Sequence, residues 1–280
     1  MAGALLFASM THAEAELVSA IIWEGDSPHF GGFSAIHVDD DGLGFVALSD
    51  RAALVEGRFL RDAQGVIVGA EAGSPMLLRD RDGAPLRGPL ADSEGIAVGP
   101  DGRLYIAFEG RARVRVQDGA TGRPRLLPRH PDFDAMAPNA SLEALAIAPE
   151  GTLYAIPERS GRANRPFPVY RYRNGAWDIP FALPRLGSFL VSGADIGPDG
   201  MLYVLERDSA VLGFRSRVRR FARDGSGETV LLETRTGAHD NLEGLSVWRD
   251  AAGDIRITMI ADDNFGAFQR NEIVEYRIAP

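Results

Sequence analysis

The sequence predicts an all-β chain folded as a β-propeller, most simply of five four-stranded antiparallel blades, and three observations predict it. A short motif recurs at a near-constant interval, a tight turn follows each copy, and an apolar strand near the N-terminus is left over to close the ring. The clearest copies are Ser93-Glu94-Gly95-Ile96-Ala97, Leu142-Glu143-Ala144-Leu145-Ala146 and Leu242-Glu243-Gly244-Leu245-Ser246. Phe33-Ser34-Ala35-Ile36 and Ser192-Gly193-Ala194 are weaker copies. Glu94 and Glu143 stand 49 residues apart, and Glu143 and Glu243 stand 100 apart with Gly193 midway. A period near 50 built of strand-like units marks a propeller blade, since one small sheet buries its faces only by stacking on its neighbours.

The elements follow in order. Each motif reads as a first strand, and the residues after it read as a turn by type. These turns are Asp39-Asp40-Asp41-Gly42, Gly99-Pro100-Asp101-Gly102, Ala148-Pro149-Glu150-Gly151, Gly197-Pro198-Asp199-Gly200 and the longer Arg249 to Gly253. Second strands come next: Gly44 to Leu48, Leu104 to Phe108, Leu153 to Ile156, Leu202 to Leu205 and Ile255 to Ile260. Third strands are visible at Val114-Arg115-Val116, Val169 to Tyr172, Val218 to Phe221 and Ile273 to Tyr276. Fourth strands are fainter, with Thr229 to Leu232 the clearest. The last copy runs out of chain after its third strand, and Leu17 to Trp23 supplies the missing fourth, removing the ring's open edges. Ser34 and Glu94 stand 60 residues apart, which leaves room for extra hairpins around Val66 to Leu78 and keeps six blades open. Arg123 to Pro138 and Arg159 to Pro168 read as long loops.

Composition narrows the function. The 280 residues are 45% hydrophobic and 25% charged, the balance of a globular protein with a sizeable core. Residues 16–280 are expected to form one domain, because all-β rings reach this length as a unit. A formal net charge of −9 argues against a nucleic-acid backbone as partner. There is no cysteine, so disulfides, thiolate metal sites and cysteine nucleophiles are excluded. There is no lysine either. An all-arginine basic set fits anion recognition by guanidinium forks, but a simple compositional bias is the stronger reading. No apolar run reaches the ~18 residues of a membrane span. Residues 1–15 resemble the end of a secretory signal peptide, with apolar Ala2 to Met10 and the A-x-A sequence Ala13-Glu14-Ala15, though no basic residue precedes them. A periplasmic or secreted location is the resulting expectation.

The acidic residues carry the chemistry. In a propeller the first strand of each blade lines the central channel, and a hairpin returns the chain to the face where it began. Glu94, Glu143 and Glu243 start first strands; Glu109, Glu158 and Asp262-Asp263 end second strands. All should therefore share one rim, with Glu206-Arg207-Asp208 and Asp50-Arg51 at the matching places of the fourth and first copies. So many like charges repel unless cations intervene. Arg51, Arg111, Arg159 and Arg207 can pair with some of them, and a hard cation such as Ca2+, with six to eight oxygen ligands, suits the rest. The other reading has each glutamate accepting backbone N–H bonds and bracing its neighbour. His239-Asp240-Asn241 is either a ligand cluster or an Asx turn. No Gly-x-Ser-x-Gly elbow is present, and Ser34, Ser93 and Ser192 have no evident His–Asp set.

Ser93-Glu94-Gly95-Ile96-Ala97 with Ala107-Phe108-Glu109-Gly110, Leu142 to Ala146, Val204 to Asp208, and Asn241 to Gly244 with Asp262-Asp263-Asn264-Phe265-Gly266 together resemble the bacterial phytase-like family, also described as esterase-like activity of phytase. The resemblance runs from about Gly31 to Ile278. It implies an exported β-propeller with a phosphoester- or ester-hydrolase role, a Ca2+ cofactor and a small anionic substrate. Carried onto this sequence, the metal ligands are Glu94, Glu109, Glu143, Glu158, Glu243, Asp262 and Asp263, with Glu94, Glu143 and Glu243 as catalytic candidates. Phosphate binding falls to Arg51, Arg159, Arg207 and Arg270, since guanidinium grips phosphate bidentately. Two alternatives are a non-catalytic propeller that binds a ligand or protein at this rim, and a calcium-dependent lactonase-like hydrolase using Asn139, Asn241 and Asn264.

Overall fold

A computed structural model describes residues 15–137, 140–210, 213–266 and 268–278. The signal-peptide expectation falls on residues 1–14 and so lies outside the described residues, as does Asn139. The chain starts on β1 (Glu16–Ile22) and lays down blade one as β2 (Phe33–Val38), β3 (Gly44–Ser49), β4 (Ala53–Arg61), β5 (Ile67–Ala72) and the short β6 (Met76–Leu77). Blade two is β7 (Ser93–Val98), β8 (Arg103–Phe108), β9 (Arg113–Asp118) and β10 (Arg125–Leu126). Blade three is β11 (Leu142–Ile147), β12 (Leu153–Pro157), β13 (Phe167–Arg173) and β14 (Ala176–Leu183). Blade four is β15 (Leu190–Ile196), β16 (Leu202–Ala210), β17 (Gly213–Phe221) and β18 (Thr229–Glu233). Blade five is β19 (Asn241–Arg249), β20 (Ile255–Asp262) and β21 (Glu272–Ile278), with β1 paired antiparallel to β21 as its outer strand.

The ring therefore has five blades. The stretch that kept a sixth open belongs to blade one, where β5 pairs with one end of β4 and β6 with the other. The turn after each first strand closes the same way, from the glycine N–H to the carbonyl three residues back, at Gly42, Gly102, Gly151, Gly200 and Gly253. Each of these glycines has positive φ, from 69° to 95°, which a side chain would strain. Five apolar clusters fill the five blade–blade interfaces. Phe33, Phe45 and Trp23 of the closing interface, for example, pack with Trp248, Ile260 and Ile273 of blade five. Arg61 of blade one also grips Glu275 of blade five with two bonds of 2.9 and 2.8 Å.

The first strands β2, β7, β11, β15 and β19 pack side by side around the channel. Each carries a β-bulge at one residue: Ser34, Glu94, Glu143, Ser192 and Glu243. The bulge sets the equivalence of the blades. Ser192, not Gly193, stands where the other copies have glutamate, because Gly193 already pairs with Leu205. Immediately below the bulges the strands nearly touch. A Cβ on Gly193 would lie 2.6 Å from the Glu243 carbonyl, and one on Gly244 2.8 Å from the Ala35 backbone. The residual space there is about 10 Å³, room for about one water. The upper mouth is thus a bowl with a floor, and the larger opening at the other end, beside His37, Asp195 and Trp248, is a separate basin.

Candidate functional site

A bulge re-aims a side chain out of the alternation of its strand. In blades two, three and five it turns Glu94, Glu143 and Glu243 toward the axis while their neighbours stay in the blade core. In blades one and four the bulge residue is serine, and it braces. Ser34 donates to the Ser93 carbonyl at 2.7 Å and Ser192 to the Leu242 carbonyl at 3.3 Å, in each case on the next blade. The residue before each bulge pairs with the second strand at Ser49, Phe108, Pro157, Glu206 and Ala261. One step further along stand Asp50, Glu109, Glu158, Arg207 and Asp262. These five form an upper ring above the bulge ring.

Together they line a polar cavity of about 200 Å³, with Asp50, Glu94, Glu109, Glu143, Glu158, Arg159, Arg207, Glu243, Asp262 and Asn264 at its walls. Seven of those residues are carboxylates. Blade four breaks the pattern, since its upper-ring residue is the cation Arg207. Glu206 points the other way, between blades, where it accepts from Arg217 Nε at 2.8 Å and Arg219 Nε at 2.9 Å. The sequence reading set Glu206 near the rim because it could not tell which of two adjacent residues faces the channel.

Arg207 reaches across the bowl. Its Nη1 lies 3.2 Å from Glu243 and 3.1 Å from the Asn241 side-chain oxygen; its Nη2 lies 3.4 Å from Glu158 and 3.8 Å from Glu143. Asn241 in turn donates its amide to Glu243 at 2.8 Å. Burial alone would lower the Arg207 pKa, but Glu243, Glu143 and Glu158 outweigh it and hold the guanidinium firmly charged. The carboxylates shift upward. Burial, then the charges of Glu143, Glu243 and Glu109, push Glu94 well above its ordinary value. Burial does the same for Glu143, against the opposing pull of Arg207. Asp50, Glu109 and Glu243 are pushed to about 7 and Asp262 to about 6, each chiefly by burial.

Among the described residues the opposite wall has no arginine in salt-bridge contact, although Arg113 lies near enough to Asp92 to oppose the upward push of burial on its carboxyl. There Asp92, Glu94 and Glu109 each offer an oxygen, all within 4.8 Å of one another. Asp92 was not singled out in the sequence, since it precedes the repeated motif; the bulge at Glu94 is what brings it in. Three oxygens at this separation fit a hard divalent cation such as Ca2+, which binds oxygen ligands at 2.3–2.6 Å.

Three expected residues fall elsewhere. Asp263 accepts the N–H groups of Gly32 at 2.8 Å and Phe265 at 3.1 Å and the Asn271 amide at 3.1 Å, which ties a loop and leaves it outside the cavity lining. Arg51 lies over the Phe265 ring, 3.4 Å from its centroid. Arg270 is 62% exposed beside Asp240. His239 is buried between Glu272, at 3.1 Å, and the Tyr276 hydroxyl, at 2.6 Å, so it braces blade five. Arg159 stands on the lip, 55% exposed, with Glu158 as its partner at 2.7 Å.

Residues 28–265 match the model of the family described as phytase-like, esterase-like activity of phytase. No curated protein matches the chain. Among solved structures it is similar to the catalytic domain of a GH62 α-L-arabinofuranosidase from Coprinopsis cinerea, at 13% identity and a TM-score of 0.55, covering 94% of this chain and 96% of that one. It is also similar to the arabinofuranosidase PaAbf62A from Podospora anserina in complex with cellotriose, at 12% identity and a TM-score of 0.53, covering 95% and 97%. The WD40 repeats of RRP9 match at 10% identity and a TM-score of 0.51, covering 95% and 100%. At these identities the likeness concerns the fold alone. No helix among the described residues is long and apolar enough to cross a membrane.

Proposed function

The chain belongs to the phytase-like family, and from that premise we propose that it is an exported hydrolase of phosphoester or ester bonds that works at the acidic mouth with a bound divalent cation, Ca2+. The observation that carries this reading is the convergence of seven carboxylates from four blades on one floored bowl of about 200 Å³. Such a bowl attracts cations and shields a reacting group from bulk water. Asp92, Glu94 and Glu109 are the residues that would hold the ion. A cation there supplies electrophilic polarisation of a phosphoryl or acyl oxygen.

The chain's own residues supply the rest. Glu243, pushed up to about 7 chiefly by burial, holds or releases a proton at neutral pH, which is where a general acid or base works best. Glu143, whose pKa burial pushes well above its ordinary value, faces the same space. Arg159 on the lip offers free guanidinium donors to an anionic substrate, whereas the donors of Arg207 are already engaged by carboxylates. Asp263, Arg51 and Arg270 take no part in this scheme.

The test is direct. Purified protein, stripped with EDTA and resupplied with Ca2+, is assayed on aryl phosphates and aryl esters, with Ca2+ binding followed by calorimetry. Turnover that requires the cation and falls at least about 100-fold in Glu94→Gln and Glu143→Gln, as for loss of a ligand or acid–base group, is the expected result. Tight Ca2+ binding with no turnover on any substrate identifies a binding propeller instead. Absence of both removes the hydrolase reading. Export is checked separately by fractionating cells that express the gene product from its own start.

A further inference from the structure

The mouth divides into two halves of like composition and unlike filling. On one side three carboxylates, Asp92, Glu94 and Glu109, converge, and among the described residues no guanidinium forms a salt bridge with them, Arg113 acting on Asp92 only at longer range. On the other, Glu143, Glu158 and Glu243 with the Asn241 oxygen converge on the Arg207 guanidinium, at 3.8, 3.4, 3.2 and 3.1 Å. Four oxygens from two blades, three and five, around a guanidinium from blade four make a cation site already filled from within. The ring position of Arg207 supports this, since the other four blades place Asp50, Glu109, Glu158 and Asp262 there.

We propose that the Arg207 guanidinium takes the place of a second metal ion, so that the mouth accepts one divalent cation and not two. The inference rests on the reading of the mouth as a cation site. A guanidinium is a fixed, planar, permanent charge. It neutralises its half of the bowl without the ligand exchange of a dissociable ion. It also leaves one place where a substrate anion can meet an exchangeable cation, the Asp92 side, with Arg159 exposed at the lip and bound to Glu158 only through its Nε. One carboxylate trio is thereby neutralised from within by Arg207, and the other is left to the ion. The buried Arg207 Nε has no protein hydrogen-bond partner, which fits a guanidinium held by its two terminal nitrogens alone.

The experiment counts ions. Full-length protein stripped with EDTA is titrated with Ca2+ by calorimetry, and bound Tb3+ is counted independently by luminescence. The wild type is expected to bind one ion. Arg207→Gln, which frees the three carboxylates, is expected to bind one more, and Arg207→Lys, which keeps a cation in place, is expected to stay at one. A folded Arg207→Gln that binds no additional ion overturns the proposal while leaving the cation reading intact. Two or more ions in the wild type also overturn it. No ion in the wild type overturns both readings. Should Arg207→Gln fail to fold, ligand variants give the answer. Asp92→Asn should weaken Ca2+ binding by about 100-fold or more, and Glu158→Gln by no more than about tenfold, the effect of a lost distant charge. Equal losses in the two would place Glu158 on the ion and refute the proposal.

Discussion

At the scale of single residues, one step along a strand decides between chemistry and architecture. Glu206 and Arg207 are neighbours, yet Arg207 enters the mouth and Glu206 is wholly buried between blades with Arg217 and Arg219. Breaking a buried pair leaves uncompensated charge and costs about 3–5 kcal/mol. Glu206→Gln is therefore expected to lower the melting temperature on the order of 10 °C. Its Ca2+ stoichiometry should stay that of the wild type, since Glu206 faces away from the bowl. A melting temperature within about 2 °C of wild type, or a lost ion, would count against this separation of roles. The same one-residue logic sorts the serines. Ser34 and Ser192 sit at glutamate positions but spend their hydroxyls on the next blade's carbonyls. Bracing and cation attraction were competing readings of one motif; bracing is what the two serines do, and cation attraction is the reading proposed for the glutamates.

At the scale of elements, the bulged first strand does the positioning. It must lie close against its neighbours, so the residue after each bulge is Ala35, Gly95, Ala144, Gly193 or Gly244. Gly193→Ala tests that requirement: its Cβ would stand 2.6 Å from a backbone carbonyl that cannot swing away. Overpacking of this kind costs about 1–3 kcal/mol. A fall in melting temperature of several degrees is expected, together with weaker Ca2+ binding because the Glu243 carbonyl and its bulge must shift. An unchanged melt would show that the strands can part. The period, the turns, the third strands of blades two to five and the closing N-terminal strand were legible in the sequence, because turn glycines and alternating apolar residues leave a local signature; β4, the third strand of blade one, was not read. The register was not legible. A bulge is one residue that fails to pair, and nothing in Ser192-Gly193-Ala194 says which residue that is. The same gap hid Asp92, and left Asp263, one residue beyond Asp262, indistinguishable from a rim acid.

At the scale of the whole molecule, the ring concentrates acidic charge in one place, and its stability should report that. Asp50, Glu109 and Glu243 titrate near 7 and Asp262 near 6 in the folded chain, against ordinary values of 3.8 for Asp and 4.5 for Glu. With folded pKa values raised, these groups' contribution is fully present below about pH 4. It is lost as pH rises toward 7, because the unfolded chain ionises first while the folded one still holds protons. Well above pH 7 both states are ionised and the loss levels off. Cation-free protein in EDTA is thus expected to melt at a higher temperature at pH 5 than at pH 8. Saturating Ca2+ should reverse the order of effect. It binds the ionised bowl, adds stability by mass action, and displaces the protons that the folded state would otherwise retain. The Ca2+-induced rise in melting temperature should therefore be larger at pH 8 than at pH 5. Thermal melts at pH 5, 6.5 and 8, each with EDTA and with Ca2+, decide the matter. A cation-free melt that climbs steadily from pH 5 to pH 8 would mean that the buried carboxylates are already ionised and fully compensated by Arg207 and their hydrogen bonds. The mouth would then be a finished electrostatic brace rather than one that still calls for an ion.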